Sequence, residues 1–356
     1  MRYVSLENLT EGMILGKSLF NQQGMLLLQE GKELSSGLIK KLNEVHYSGL
    51  YIHDEFSEGI EIKDVISDEI RRNASMAVGR LLTNLEADEV PALSQDMTQI
   101  TDMLHQIIDE IMSSSSTIVN IIDLKEFDAY THQHSVSVCV LSCIIGVVLG
   151  FSKKELYDLA LSGILHDIGK IFIEKDILNK PGKFEPEEYE IIKTHSQLGF
   201  ELIHNKCRFS HKVGKAILHH HERFDGGGYP LKKKGKDIMI YSQIIAVADV
   251  YDALTSKRPY RDPILPSEAY EYVMGNSGQA FNPEIVNVFI KKIAPYPVGV
   301  QVELSNGLTG IVFHNHENAM MRPLIKLIPL PGQAKENYLD LNKADFHNIT
   351  IQKVLI

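Results

Sequence analysis

Apolar and polar positions along the chain change rhythm three times. In residues 1–60, "MILGKSLFNQQGMLLLQEG" alternates on either side of Asn21–Gly24, the pattern of a hairpin. "SSGLIKKLNEVHYSGLYIHD" then predicts a short helix capped at Ser35 or Ser36, a turn at Gly49 and a strand. Residues 61–119 have a helical, polar-rich period broken near Pro91 and closed by the serine tract Ser113–Ser116. From residue 120 to 295 the period is almost wholly helical. Helices are predicted over Tyr130–Leu149, Lys153–His166, Pro186–His204, His211–Glu222, Met239–Leu254, Pro266–Met274 and Pro283–Ile293, with Gly and Pro marking the joins. Strand alternation returns in residues 296–356, around the Ser-Asn-Gly turn of "VGVQVELSNGLTGIVFHN" and in "PLIKLI" and "ITIQKVLI". No internal repeat is visible.

The expected architecture is therefore mainly α: a helical-bundle domain (120–295), a small N-terminal α/β module (1–60), a helical connector (61–119) and a short β-rich C-terminal extension (296–356). The connector is long and polar for a simple spacer, which suggests pairing with a second copy in a homodimer. The most apolar run, Ser135–Phe151, approaches membrane-spanning length but contains serines and starts beside His132 and His134. It reads as a buried helix. The first twelve residues contain no apolar signal core.

Charge narrows the function classes. A formal charge of -10 over 356 residues argues against a general binder of DNA, RNA or membrane surface. An anionic ligand would need local positive charge or metal. Cys139, Cys143 and Cys207 lack zinc-ligand spacing and suit reduced thiols in a cytoplasmic protein.

Candidate chemistry appears where polar residues interrupt apolar helices: His134, His166, Asp167, His195, His220, His221 and Asp249. Burying seven such groups separately is costly. Imidazoles and carboxylates converging between helices are a common way for a bundle to hold metal. Without thiolates a structural zinc site is disfavoured. Mixed N/O ligands suit iron or manganese, with nickel or zinc as alternatives. Seven ligands are too many for one ion and enough for two, and Asp167 is the best bridging candidate. A pair of metals suits phosphoester hydrolysis.

Four motifs occur in order: "HDIGK", "ILNKPGKFEPEEYEIIKTH", "HHERFDGGGYP" and "VADVYDALTSKRPYR". Together they resemble the HD-GYP family of bacterial cyclic di-GMP phosphodiesterases, within the HD-type metal-dependent phosphohydrolases, over about residues 120–295. The resemblance implies a first divalent metal, iron or manganese, on His134, His166, Asp167 and Asp249. It implies a second on Asp167, His195, His220 and His221, with a bridging hydroxide as nucleophile and the linear dinucleotide pGpG, or onward GMP, as product. Lys170, one turn beyond His166, would meet a phosphate oxygen or protonate the leaving group. Arg258 and Arg261 would contact phosphate or guanine, the alternative being a solvated helix-end pair. Some members hold a third ion through a Glu one turn before the first histidine; that position here is Tyr130, so two ions are expected. The alternatives are a catalytically weak cyclic di-GMP sensor and a phosphohydrolase of another cyclic dinucleotide. His132, His219, His314 and His316 are expected outside the site.

Overall fold

The computed structural model describes residues 1–21, 25–44, 49–87, 90–114, 118–119, 130–206, 209–256, 263–329 and 337–355. The mainly α architecture expected from the periodicity is present. The N-terminal module has a three-stranded sheet of order β1–β5–β2, built from Arg2–Ser5, Gly49–His53 and Ile14–Leu15. A hairpin pairs β3 (Leu19–Phe20) with β4 (Leu26–Leu28), and α1 covers Ser36–Glu44.

The connector folds as an antiparallel helix pair, α2 (Asp68–Glu86) and α3 (Val90–Ser113). Ser67 caps α2 by accepting from the Ile70 N–H, so one of the helix's open amides is satisfied. Polar cross-links hold the pair: Arg80 donates to Gln99 at 2.7 Å, and Asn84 to Asp96 at 2.7 Å. Its apolar stripes are already occupied. Ala74, Val78 and Leu81 of α2 and Ile100, Leu104 and Ile107 of α3 are buried in the same core as the helices that follow. The connector is thus a wall of the bundle, and its apolar stripes are covered within the chain.

The bundle is organised around α4 (Tyr130–Val148). It packs against α2, α3, α5 (Lys153–Leu165), α10 (Ile240–Thr255) and α12 (Pro283–Lys292). A helix enclosed on so many sides needs apolar residues all round rather than along one stripe. That explains the run Ser135–Phe151. Among the described residues no helix is long and apolar enough to cross a membrane. A 3-10 turn, Ile168–Phe172, follows α5, and a short α6 covers Lys175–Leu178. The helix expected over Pro186–His204 is two, α7 (Pro186–Lys193) and α8 (His195–Lys206), broken at Thr194. The helices α9 (His211–His219) and α11 (Pro266–Gly275) complete the set.

The C-terminal extension is a five-stranded antiparallel sheet of order β10–β6–β7–β8–β9. Its strands are β6 (Gln301–Leu304), β7 (Thr309–His314), β8 (Leu324–Leu327), β9 (Tyr338–Asp340) and β10 (Ile351–Leu355). This sheet and the N-terminal module share a core in which Tyr3 and Tyr51 pack with Tyr296, Val300 and Val302. The Tyr3 N–H donates to the Gly299 carbonyl at 2.9 Å, and Arg2 donates to Gln301 at 3.0 Å. The two ends of the chain therefore form one joint β-rich body.

Candidate metal centre

The functional side chains are delivered mostly from helix ends. His134 projects from α4 and Asp249 from α10. His166 ends α5, Asp167 opens the 3-10 turn, His195 starts α8, and His220 and His221 follow α9. The seven residues singled out from the sequence are brought together. Asp167 lies between two groups. Its Oδ2 is 3.3 Å from His166 Nε2 and 3.8 Å from His134 Nε2. Its Oδ1 is 3.4 Å from His195 Nε2 and 4.0 Å from His220 Nε2. Asp249 Oδ1 stands 3.1 Å from His134 Nε2 and 3.9 Å from His166 Nε2. Two clusters have the spacing of a metal site, His134–His166–Asp167 and Asp167–His195–His220–His221.

The tautomers are dictated by the backbone. The Nδ1 atoms of His166, His195 and His220 lie 2.8, 2.7 and 2.6 Å from the carbonyls of Gly163, Ile192 and Ile217. A carbonyl can only accept, so each Nδ1 carries the proton and each Nε2 presents a lone pair. His195 Nε2 and His220 Nε2 then face each other at 3.2 Å. Two lone pairs at that distance repel unless a cation lies between them. The Nε2 atoms of His134 and His166 are buried without a hydrogen-bond partner. Orphaned acceptors in an otherwise well-packed interior are what a cation site requires.

Protonation states agree. Burial, then neighbouring imidazoles, pushes His220 well below its ordinary value, and burial with His195 takes His221 to about 3. Burial also lowers His195. Burial would raise Asp167, but Lys170, His166 and His195 hold it well below the usual carboxylate range. Burial likewise opposes ionisation of Asp249, and His134 outweighs it. His134 differs: burial pulls it down, yet the neighbouring carboxylates of Asp249 and Asp252 lift it to about 9. At that ring a cation and a proton compete.

Two glycines have steric reasons. A Cβ on Gly169 would overlap the His195 carbonyl and the Gly199 N–H, so the 3-10 turn can lie on α8 only without one. A Cβ on Gly228 would overlap the backbone of His221–Arg223. Glu222 holds this loop by accepting from the Leu231 and Lys233 N–H groups at 2.7 and 3.0 Å. Asp225 accepts from the Gly227 N–H at 2.8 Å.

Residues 116–285 match the family model described as HD domain. A cyclic di-GMP phosphodiesterase of Pseudomonas aeruginosa is 33% identical over 256 residues, covering 70% of this chain and 61% of the relative. Residues 116–285 form an HD domain of the HD-GYP kind. A 3'3'-cGAMP-specific phosphodiesterase of Vibrio cholerae is 38% identical over 143 residues, covering 40% of this chain and 27% of that protein. This chain thus spans less than two thirds of either relative. An HDG"Y"P protein from Bdellovibrio bacteriovorus has the same fold, with a TM-score of 0.51 at 18% identity, over 81% of this chain and 97% of that one.

Within the HD-GYP domain, Lys170 sits against the cluster with Nζ 2.5 Å from Asp167 Oδ2. Arg258, Arg261 and the side chain of Tyr130 lie outside the described residues. The ring of His132 rests over Gly79 of α2. His316 pairs with Asp340 at 2.9 Å, and among the described residues no third ligand completes a site with it. Sequence reasoning missed Asp252. It is 2% exposed, and its Oδ2 accepts from His134 Nδ1 at 2.7 Å, where the three other imidazoles use carbonyls. Its place three residues after Asp249, on the same face of α10, was the available signal. Tyr229 of the GYP motif was also missed; it stacks on His221.

Proposed function

We propose that this protein is a metal-dependent phosphodiesterase that hydrolyses cyclic di-GMP to linear pGpG. The observation that carries the reading is Asp167, whose two oxygens face two separate histidine groups, one each. Such a carboxylate suits two divalent ions, iron or manganese. His134, His166 and Asp249 would complete one site, and His195, His220 and His221 the other. When bound, the ions supply positive charge for phosphate oxygens and a water-derived nucleophile at neutral pH.

The chain's own residues set the stage for that chemistry. The carbonyls of Gly163, Ile192 and Ile217 fix the imidazoles so that Nε2 points inward. Lys170, one-third exposed, borders the site and can hold a phosphate oxygen or protonate the leaving alkoxide. Arg258 and Arg261 are proposed as contacts to phosphate or guanine. A relative named for 3'3'-cGAMP favours a second reading, hydrolysis of a mixed cyclic dinucleotide. A catalytically weak sensor is less favoured, because none of the seven proposed ligands is missing from the cluster.

The test is anaerobic purification, elemental analysis and turnover of both cyclic dinucleotides before and after chelation, with products separated by chromatography. Two metals per chain, chelator-sensitive loss of cyclic di-GMP and accumulation of the linear dinucleotide are expected. Undiminished turnover after complete metal removal would overturn the mechanism, and faster cleavage of the mixed dinucleotide would reassign the substrate. A homodimer through the connector would have to meet on its polar flanks, since the apolar stripes are packed within the chain. Light scattering of the full chain at micromolar concentration separates dimer from monomer.

Asp252 is proposed as the residue that orients His134. Asp252→Asn keeps the shape and removes the charge. Metal affinity should fall by about 10- to 100-fold, as is typical when a partner behind a ligand is altered. Competition against a chromogenic chelator measures this, and unchanged affinity would reduce Asp252 to a packing role.

A further inference from the structure

α7 carries Tyr189 and Lys193 one turn apart, on one face of the helix. Lys193 Nζ lies 4.6 Å from the centroid of the Tyr189 ring and 5.7 Å from that of Tyr229. Tyr229 in turn stacks on His221, with centroids 4.7 Å apart and 28° between the planes. A ladder of ring, cation, ring and imidazole therefore leads from the surface to the metal centre. Its inner rungs are occupied. Tyr229 is packed on His221, and Lys193 is also paired with Glu190 at 2.5 Å. The outer rung is open: Tyr189 is 45% exposed. A single exposed aromatic residue is ordinary on a protein surface. This one is distinguished by its tether, since the ammonium that touches its ring also touches the aromatic residue covering a cluster histidine.

We propose that Tyr189 is the stacking platform for one purine base of the substrate. The inference rests on the phosphodiesterase reading and extends it to the base subsite. A phosphodiester held at the metal centre must carry its nucleosides toward solvent, and the ladder from His221 through Tyr229 and Lys193 ends in one open, flat aromatic ring. Lys193 restrains the ring, so less side-chain freedom is lost when a base stacks on it. Stacking needs only a π-face and does not read hydrogen-bonding edges. The platform therefore binds guanine and adenine alike, and the choice between cyclic di-GMP and a mixed dinucleotide is made elsewhere.

The experiment uses the full, metal-replete chain. Tyr189→Ala should raise KM for cyclic di-GMP and for 3'3'-cGAMP alike, by roughly 5- to 100-fold, the usual effect of removing one stacking partner. Metal content and kcat should stay near wild type. Tyr189→Phe and Tyr189→Trp should restore KM, whereas Tyr189→Leu, apolar but without a π-system, should not. The chain contains no tryptophan, so Tyr189→Trp also introduces a single emitter. Its fluorescence should be quenched on mixing with excess cyclic di-GMP. An unchanged KM in Tyr189→Ala, or an unquenched tryptophan in a protein that turns over, overturns the platform. So does loss of metal in Tyr189→Ala, which would make the residue structural. If the wild type cleaves neither dinucleotide while the tryptophan is still quenched, the phosphodiesterase reading fails and the platform stands.

Discussion

Asp167→Ala is expected to abolish hydrolysis, by at least about a thousandfold, and to strip more metal than any other single ligand change. Both Asp167 oxygens are committed, Oδ2 toward His166 and His134 and Oδ1 toward His195 and His220. Replacing any one imidazole removes a ligand from one group, whereas replacing Asp167 removes one from both. It also removes the negative charge that faces Lys170. The fold should survive, because the surrounding helices are held by their own apolar core, including Leu159, Ile164, Ile217 and Val247. Elemental analysis, circular dichroism and turnover on one preparation give the answer. A folded variant with full metal content and near-normal activity would sink the bridging assignment.

Lys170→Ala is expected to keep the metals and slow turnover by roughly two to four powers of ten, the range for a charge or proton donor placed at a reacting phosphate. The structure sharpens this expectation. Lys170 lies on the 3-10 turn that Asp167 opens, so its backbone is positioned with the cluster even though its side chain is no proposed ligand. That turn is seated on α8 through Gly169, which keeps Lys170 at the edge of the site. If metal content falls together with activity, Lys170 serves mainly to neutralise the Asp167 carboxylate. If neither changes, its assignment to the reaction is wrong.

Much of the candidate site was legible in the sequence. Histidines and aspartates stand out when they interrupt an apolar helical period, because burying them has no local justification. Their convergence could be inferred from type and number, without knowing any contact. Asp252 escaped because nothing in its type separates a carboxylate that braces an imidazole from one on a solvated helix face. It became recognisable only when α10 was laid against α4 and its oxygen met His134 Nδ1. Tyr229 escaped for a related reason, since the direction of an aromatic ring in a glycine-rich loop depends on what the loop packs against. The glycines themselves were ambiguous. Gly169 and Gly228 could have been turn formers, and the close backbone approach that requires them is visible only in three dimensions.

The fold divides in the same way. Local periodicity and punctuation determined where most helices begin and end, because capping, proline placement and apolar spacing act within one or two turns. The sequence also determined which residue types could bind metal. Tertiary structure decided what each apolar surface covers. It made Ser135–Phe151 the enclosed centre of a bundle, and it turned the expected connector into one of that bundle's walls. It joined the first and last strands into one core around Tyr3, Tyr51 and Tyr296. Such contacts span nearly the whole chain and leave no periodic trace, because an apolar face has the same pattern whether it meets a neighbouring helix, a distant strand or a second copy of the protein.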